Sequence, residues 1–493
     1  MQRIALIIPP SCFLTDERVF IHLGILKVAA CLEKSGYPVD VLDLSGISNY
    51  QDVVTNYFQN SDAIMIGITA TTSQMPQVET VYKAIKAVRP ETTVILGGPH
   101  STVVNAAKKR EDKKGIVGRA HRAYIRLFSV ADRVVAGDGE EAIFVAIQPN
   151  ALKLVDADDP ESKLFLNNVR LEELPPPARH LIDLDSYHYY IDGERATSLV
   201  MQLGCPYACS FCSGRLSPTF RRVRTRMVDS VLSEIRNIYE RYNLKGLQFY
   251  DDELNVDKNF VNNMRGLSKM QEDIGVRFSL RGFIKANLFT NEQAIAMVEA
   301  GFKQICIGFE SGSSLILKNM KKSATKEDNY RCMEIAHNHG LKVKAFMSLG
   351  HPGENPVSIE ETRNWLLDVE PEDFDCTIIT TYPGTPYYDL AVQQDGHKNV
   401  WTYQTHDGYR LHTRDVDFVS DSSYYKGVAD GGYQSFVWTD YLTSDDLVKM
   451  RDWLERDVRQ RLGIPFYPVT PASKFDSSMG QLPGYIYRGT NNG

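Results

Sequence analysis

Short apolar, β-branched segments alternate with amphipathic segments over the first third of the chain. Strands are predicted at residues 4–8, 39–42, 63–69, 93–96 and 133–135, with helices between them, as at residues 25–34 and 78–88. This alternation predicts a parallel sheet covered by helices on both faces. We assign residues 1–150 to a Rossmann-like, flavodoxin-like α/β domain, and its ligands are expected at the carboxyl ends of the strands.

A second series of strand-then-helix units follows a proline-rich stretch at residues 172–179, which lies in a predicted linker over residues 151–194. The six predicted strands lie near residues 197–203, 246–250, 277–280, 304–309, 343–349 and 374–380. The segment 229–242 has a clear apolar stripe at helical spacing. Residues 195–388 are therefore predicted to form a partial (β/α)6 barrel, with its chemistry at the carboxyl ends of the strands.

The repeat stops near Asp389, and residues 389–493 are predicted to form a small α+β region. Residues 400–442 are rich in tyrosine, tryptophan and histidine, which fits either a cap that closes the open barrel or a substrate-recognition surface. Thr443 is predicted to cap an amphipathic helix that runs to about Leu462. The last residues, 488–493, are predicted to be disordered.

Composition and charge exclude some classes of protein. The chain has 493 residues, 43% of them apolar, and a net charge of −7, which argues against general nucleic-acid binding. No apolar run approaches the ~20 residues of a membrane span, and the first residues are too short for a secretory signal. Eight cysteines without such a signal fit a reducing, cytoplasmic location.

Two basic segments stand out against this negative charge. Residues 108–122 are interpreted either as a solvated helix face or loop, or as a docking site for an acidic partner. The second segment fits either a solvated face or a site for a carboxylate or phosphate, and it contains Arg215, Arg221, Arg222, Arg224 and Arg226.

The most restrictive motif lies at the end of the first predicted barrel strand. Cys205, Cys209 and Cys212 have CxxxCxxC spacing, so one loop can bind three corners of a 4Fe–4S cluster and leave one iron open. A zinc site usually needs two CxxC pairs, or one pair with two histidines, and no second CxxC pair exists here. A disulfide is disfavoured for three clustered thiols in a chain without a signal peptide. An open iron can chelate the amino and carboxylate groups of a substrate.

These cysteines, with Phe211 before the last of them, resemble the motif of the radical S-adenosylmethionine (SAM) enzymes. The resemblance implies that Cys205, Cys209 and Cys212 hold the cluster and act in catalysis, and that SAM binds its open iron. It also assigns SAM contacts to the ends of the following strands, at Phe211, Asp252, Glu253, Arg281, Glu310, Ser311, Gly350 and Gly353. Asp251, Asp252 and Glu253 also fit a simple helix cap.

The loops after the N-terminal strands resemble those of the cobalamin-binding domain that precedes the barrel in one radical SAM subfamily. The shared turns are Gly-Gly-Pro-His-x-Thr and Gly-x-Gly-Glu, and the resemblance assigns cobalamin contacts to Thr71, Thr72, Gly97, Gly98, His100, Thr102, Gly137, Gly139 and Glu140. A nicotinamide site is disfavoured because no GxGxxG follows the first strand. The Asp-x-His-x-x-Gly motif that supplies a lower cobalt ligand is missing, and an unliganded domain closed by structural turns stays possible.

The resemblance implies a cobalamin-dependent radical SAM enzyme, and methyl transfer to an unactivated carbon of a small molecule is the leading expectation. One alternative is a radical rearrangement, ring contraction, dehydration or epimerisation without methyl transfer. A third hypothesis is an iron–sulfur electron carrier that has lost SAM binding. The expected partners are a small-molecule substrate and a flavodoxin- or ferredoxin-type reductant, with no specific nucleic acid and no membrane.

Overall fold

The computed structural model describes residues 2–14, 16–427 and 432–465. The predicted disorder at residues 488–493 lies outside these residues. None of the described helices is long and apolar enough to cross a membrane.

The N-terminal unit is a six-stranded parallel sheet with helices on both faces. Its elements are β1 (Ile4–Ile8), α1 (Leu23–Lys34), β2 (Val39–Asp43), α2 (Tyr50–Asn60), β3 (Met65–Thr69), α3 (Met75–Val88), β4 (Thr93–Gly97), α4 (Pro99–Lys113), α5 (Arg119–Leu127), β5 (Arg133–Gly137), α6 (Gly139–Ala146) and β6 (Leu154–Ala157). The strand order is β2-β1-β3-β4-β5-β6, and every neighbouring pair is parallel. All five residues of β1 are buried, as expected for a strand covered on both faces. The predicted fold class of this unit is confirmed.

The N-terminal sheet has a sixth strand, β6, beyond the five that the sequence predicts. It lies in the stretch 151–194 that was assigned to a linker, and it pairs with β5. The strand has only four residues and includes the half-buried Asp156, so its apolar pattern is too short to stand out in the sequence. The short helix α7 (Asn168–Glu173) follows, before the proline-rich stretch.

The second unit is a curled half-barrel built on a seven-stranded sheet. Its strands are β7 (Tyr190–Ile191), β8 (Glu194–Leu199), β11 (Gly246–Phe249), β12 (Ser279–Phe283), β13 (Phe302–Glu310), β14 (Lys342–Leu349) and β15 (Asp373–Ile378), with a separate pair formed by β9 (Gln202–Leu203) and β10 (Arg224–Thr225). Its helices are α8 (Pro218–Arg221), α9 (Val228–Tyr242), α10 (Phe260–Ile274), α11 (Asn291–Ala300), α12 (Ser314–Asn319), α13 (Lys326–Asn338) and α14 (Pro356–Val369). Six strands are parallel in the order β15-β14-β13-β12-β11-β8, and β7 is antiparallel at the edge. The predicted six-unit partial barrel is confirmed.

The first barrel strand is shorter than predicted. The apolar stretch 197–203 was expected to be one strand, but β8 ends at Leu199 and β9 begins at Gln202. The backbone N–H groups of Met201 and Gln202 donate to the carboxylate of Asp251 at 3.1 and 2.5 Å. This carboxylate replaces the sheet partner and turns the chain toward the cysteine motif.

The C-terminal region packs against the last barrel strand and the helix before it. Its elements are α15 (Pro386–Asp389), the antiparallel strands β16 (Val392–Gln393), β17 (Val400–Gln404), β18 (Arg410–Arg414) and β19 (Val437–Thr439), and α16 (Ser444–Leu462). Thr443 and Asp446 form the capping box of α16, which confirms the predicted cap. Arg451 of α16 donates to the Cys376 carbonyl of β15 at 2.9 Å, so the helix is fixed to the last barrel strand.

One buried ion pair and two buried hydrogen bonds fasten the N-terminal unit to the barrel. Arg224 pairs with Asp138, and both side chains are buried. Asp158, just after β6, accepts hydrogen bonds from the Ser217 hydroxyl at 2.6 Å and the Thr219 N–H at 2.9 Å. These contacts hold the carboxyl ends of the first sheet against the loop that carries the cysteines.

Candidate active site between two sheets

The cysteine loop is fixed by its backbone before any metal is considered. It leaves β9 at Gly204, whose φ of +86° is one that glycine adopts readily, and an added Cβ there would lie 2.2 Å from the Arg222 carbonyl oxygen. The Cys205 N–H donates to the Phe220 carbonyl at 2.9 Å, and the Ser210 N–H donates to the Met320 carbonyl at 2.8 Å. The loop is therefore anchored at both ends of the motif.

The three thiols fit a multi-iron cluster. Burial raises the pKa of Cys205 to about 11 and that of Cys212 to about 12, and the proximity of Cys209 adds to both shifts. The thiols therefore share one neighbourhood. Among the described residues, no three His, Cys, Asp or Glu side chains converge as ligands of a single metal ion. One loop that brings three thiols into one neighbourhood suits a cluster with three protein ligands.

The carboxylates after β11 face this loop from the other side. The Gly204 N–H donates to Asp252, and burial raises the pKa of Asp252. Burial also raises the pKa of Glu253 to about 7, against the attraction of Lys322 and Lys285. Neither Asp252 nor Glu253 caps the short helical turn at Leu254–Val256, because Glu253, its N-cap residue, makes no side-chain capping bond. The helix-cap interpretation is not supported for this pair, and both stay candidates for the SAM ammonium group.

Glu310 lies at the centre of a hydrogen-bonded chain at the ends of β13 and β14. Its φ of +69° and the irregular pairing of β13 with β14 turn the carboxylate inward. Glu310 Oε1 lies 3.2 Å from Lys322 Nζ, and Glu310 Oε2 accepts from the Ser348 hydroxyl at 2.8 Å. Ser348 Oγ lies 2.8 Å from His351 Nε2, and His351 Nδ1 lies 3.2 Å from the Tyr387 hydroxyl.

The protons of this chain can be placed from its partners. Burial lowers the pKa of His351 to about 3, so the imidazole is neutral. The Ser348 hydroxyl donates to Glu310, which leaves its oxygen to accept from His351 Nε2–H, while His351 Nδ1 accepts from Tyr387. Every donor points toward Glu310. The network therefore holds a carboxylate in place at the barrel mouth, where it can bind the ribose hydroxyls or ammonium group of SAM.

The remaining predicted SAM residues divide into two groups. Phe211 packs on the His351 ring with centroids 5.4 Å apart and lines a cavity of about 230 Å³ together with Glu310 and Ser348. Gly350 and Gly353 form the positive-φ turn that holds His351. The side chains of Ser311 and Arg281 point away from the Glu310 carboxylate.

The Ser311 hydroxyl lies 3.1 Å from the Thr362 hydroxyl of α14, so this side chain joins the barrel to its helix layer. Arg281 is buried, and its Nε donates to Cys306 Sγ at 3.1 Å inside the barrel. Neither side chain belongs to the hydrogen-bonded chain around Glu310. Lys322, Lys285, Ser348 and Tyr387 were missed by the sequence analysis. No local motif marks the two lysines, because only the fold brings them to the cysteines.

A larger cavity, of about 770 Å³, lies between the carboxyl ends of the first sheet and the barrel mouth. Its walls include Thr71, Thr72 and Glu140 from the first sheet and Leu203 and Tyr250 from the barrel. Its volume and its rim of hydroxyl groups suit a large ligand with amide substituents, such as a corrin ring. The residues present therefore fit cobalamin.

The other predicted cobalamin residues shape the sheet edge behind this cavity. His100 Nδ1 lies 3.1 Å from Thr72 Oγ1, and burial lowers the pKa of His100 to about 3. The Thr102 hydroxyl accepts from the Gly137 N–H at 2.9 Å and donates to the Gly98 carbonyl at 2.9 Å.

The glycines at this edge differ in how tightly they are packed. An added Cβ at Gly98 would lie 2.7 Å from Thr69 Oγ1, and one at Gly137 would lie 2.4 Å from the Ala157 backbone. At Gly139 the nearest atom would be a Val28 methyl at 3.1 Å, and at Gly97 the Val135 Cβ at 3.9 Å. Gly98 and Gly137 are thus required by packing, whereas Gly97 is not.

The two basic segments are partly engaged in contacts within the chain. In the first, the Arg119 guanidinium is buried over the Tyr388 ring at 3.6 Å, and Arg122 pairs with Asp415 at 3.0 Å. In the second, Arg224 pairs with Asp138, and Arg226 pairs with Glu234 at 2.7 Å. The contacts of Arg119, Arg122 and Arg224 join the N-terminal unit to later parts of the chain, whereas the Arg226–Glu234 pair lies within the barrel. Residues 112–117 of the first segment and Arg222 of the second are exposed, so part of each segment is a solvated face.

Family models match both halves of this arrangement. The Radical SAM superfamily model matches residues 199–366, and the B12 binding domain model matches residues 14–127. The chain is 26% identical over 415 residues to an uncharacterized methyltransferase of Pyrococcus horikoshii, covering 80% of this chain and 83% of that protein. It is 25% identical to the cytidylyl-2-hydroxyethylphosphonate methyltransferase of Streptomyces wedmorensis, covering 73% and 75% of the two chains.

A solved structure shares the whole architecture. The radical SAM methyltransferase TsrM from Kitasatospora setae, solved with cobalamin and a 4Fe–4S cluster bound, superposes with a TM-score of 0.65 at 16% identity. The match covers 92% of this chain and 91% of that one, and it shows the shared fold. Together with the two matched domains and the cysteine motif, it leads to one conclusion: the chain belongs to the radical SAM enzymes that carry a B12-binding domain, and its cofactors are a 4Fe–4S cluster, SAM and cobalamin.

Proposed function

We propose that the protein is a C-methyltransferase that acts on an unactivated carbon of a small molecule. The observation that carries this proposal is the placement of two cavities side by side at the barrel mouth. The smaller cavity is lined by Glu310, and the larger is lined by Thr71 and Thr72 of the first sheet. A reaction that needs a radical and a methyl donor within reach of one carbon requires two neighbouring cofactor sites.

When bound, the cluster and SAM supply a 5′-deoxyadenosyl radical, and cobalamin supplies a transferable methyl group. The chain's own residues provide placement. Cys205, Cys209 and Cys212 would hold the cluster, and Glu310, fixed by Ser348 and Lys322, would orient SAM. The positive charge of Lys322 beside Cys209 also offsets the negative charge of the thiolates.

The relatives named as methyltransferases support the methyl-transfer chemistry over the alternatives. We propose further that the substrate is a small molecule and that a low-potential one-electron carrier of the flavodoxin or ferredoxin type supplies the electron. The cytoplasmic location predicted from the sequence stays a prediction.

The experiment is to incubate the anaerobic, cobalamin-loaded protein with dithionite and SAM that carries a deuterated methyl group. Formation of 5′-deoxyadenosine excludes a simple electron carrier. S-adenosylhomocysteine, with the label recovered on cobalamin, is the result expected of a methyltransferase. 5′-Deoxyadenosine without any S-adenosylhomocysteine would contradict methyl transfer and favour a radical rearrangement or elimination.

A further inference from the structure

The two cofactor cavities are separate, and they share only two lining residues in the part of the chain that the structure describes. These are Tyr382 and Tyr425, which appear in the wall of the 230 Å³ cavity and in the wall of the 770 Å³ cavity. Tyr382 belongs to the turn after β15, and Tyr425 to the aromatic segment between β18 and β19. We call this pair of side chains the tyrosine partition.

Both rings of the partition are held by aromatic contacts from different parts of the chain. The Tyr425 ring meets Phe13 of the loop after β1 edge to face, with centroids 4.8 Å apart. The Tyr382 ring packs against Phe418 and Tyr424 at 6.1 and 6.3 Å. Burial raises the pKa of Tyr425 to about 12 and that of Tyr382 well above its usual value, so both phenols are neutral. The partition is a neutral aromatic wall between a charged site and a large cavity.

A wall between the two cavities would prevent a side reaction that becomes possible when SAM and cobalamin are both bound. One-electron reduction of SAM breaks its S–C5′ bond and gives methionine and a carbon radical with one unpaired electron. Cobalamin in the cobalt(II) state also has one unpaired electron. The two electrons can pair in a new Co–C5′ bond without any further reductant, which would consume the radical and block the cobalt.

We propose that the tyrosine partition prevents this coupling when no substrate is bound. The inference rests on the proposed function, because a carbon that loses hydrogen to one cofactor and gains methyl from the other must lie between them. The two phenol rings line this position. They favour a substrate that presents an apolar or planar face there.

The test needs no knowledge of the substrate. The double variant Tyr382→Ala with Tyr425→Ala removes the wall, and the pair Tyr382→Phe with Tyr425→Phe keeps it. Tyr441→Ala is the matched control, because Tyr441 is a 55% exposed tyrosine in the same C-terminal region and lines neither cavity. Each cobalamin-loaded protein, with cobalt in the cobalt(II) state, is incubated with SAM and dithionite, and adenosylcobalamin is measured by mass spectrometry.

The alanine pair is expected to form at least tenfold more adenosylcobalamin per 5′-deoxyadenosine than the wild type, the phenylalanine pair and Tyr441→Ala. A second measurement is independent of turnover: with the cluster oxidised, SAM should change the cobalt(II) electron paramagnetic resonance spectrum of the alanine pair and leave that of the wild type unchanged. If the double variant does not retain both cofactors, the two single alanine variants serve, with a smaller expected increase.

Equal adenosylcobalamin in all proteins, at full cofactor loading and normal SAM cleavage, would overturn the partition while leaving the proposed function intact. A wild-type protein that cleaves SAM without binding cobalamin would instead overturn the proposed function, and the partition with it.

Discussion

The two parallel sheets of this protein bind at the same kind of edge but by different means. At the barrel mouth the side chains carry the binding groups, since Glu310 is held by Lys322 and Ser348 and faces the cysteine loop. At the edge of the first sheet the polar side chains mostly satisfy the backbone, as Thr102 does for Gly98 and Gly137. Charged side chains dominate at the barrel mouth, whereas the shape of the packed backbone dominates at the edge of the N-terminal sheet.

This difference matches the ligands. SAM is a small charged molecule that must be oriented at one iron, so a fixed carboxylate beside thiolates suits it. Cobalamin is large and presents many neutral amides, so a wide cavity with a tightly packed backbone edge suits it. The comparison predicts that charge-removing changes will damage the barrel site, whereas added side-chain atoms will damage the first sheet.

The largest effect is expected from the cysteines. Replacing Cys209 with Ala leaves the cluster with too few ligands, so 5′-deoxyadenosine formation should fall to background and iron should be lost. Cobalamin should still bind, because its cavity is built mainly from the first sheet. Cys12→Ala, a half-buried cysteine outside the motif, is the control. Substantial SAM cleavage by the Cys209 variant would contradict the cluster assignment.

The next effect is expected at Glu310. Glu310→Gln keeps the shape of the side chain but removes the charge that pairs with Lys322 and the bound SAM. A charge-assisted hydrogen bond is worth roughly 1.5–3 kcal/mol, so SAM affinity should fall about 10- to 100-fold with the cluster retained. Equilibrium binding of SAM measures this, and the exposed Glu361→Gln is the control. Unchanged affinity would remove Glu310 from the site.

A matched pair of glycines tests the first sheet. Gly98 has a φ of +95°, and an added Cβ would lie 2.7 Å from Thr69 Oγ1, whereas Gly97 has only Val135 Cβ at 3.9 Å. Such strain costs on the order of 1–3 kcal/mol, so Gly98→Ala should weaken cobalamin binding at least several-fold and Gly97→Ala should not. Iron content should stay normal in both. Equal cobalamin retention by the two variants would show that backbone packing at this edge does not control binding.

The last prediction concerns the pH dependence of stability, which depends on a buried carboxyl in the turn after β14, and it leaves both binding sites unchanged. Burial raises the pKa of Glu354 from 4.5 to about 7, although Ser358 donates to Oε1 at 2.6 Å. Between about pH 4.5 and 7 the folded protein holds a proton that the unfolded chain has released. Raising the pH through this window therefore lowers the free energy of unfolding.

Glu354→Gln cannot ionise, so its stability relative to the wild type should rise by up to about 3 kcal/mol from pH 4.5 to 7. Denaturant titrations at several pH values measure the difference. A difference that stays constant with pH would contradict the raised pKa.

The sequence predicts most of the elements whose signals are local. The strand–helix alternation, the CxxxCxxC loop and the Thr443 cap depend on neighbouring residues, and the fold class and cofactors that follow from them are confirmed. The sequence did not predict β16–β19 as individual strands, because cross-strand pairs such as Trp401 with Thr413 form only after the chain returns on itself.

The candidate site shows the same limit. Glu310 and Phe211 could be placed from their motifs, and they lie together. Lys322 and Tyr387 could not, because a lysine after a short helix and a tyrosine in a turn carry no local sign that the fold brings them to one carboxylate. Arg281 shows the opposite case: the sequence places it at the end of a predicted strand, but it lies within β12 and its guanidinium points to Cys306 inside the barrel.

The most direct test of the account is the metal content of protein purified without oxygen from cells supplied with cobalamin. Iron, cobalt and the absorbance spectrum are measured on the same sample. The account predicts about four iron atoms and about one cobalt atom per chain, because one loop holds a 4Fe–4S cluster and the first sheet holds one corrin. Iron without cobalt would contradict the paired-cofactor site and reduce the N-terminal unit to a scaffold for the barrel.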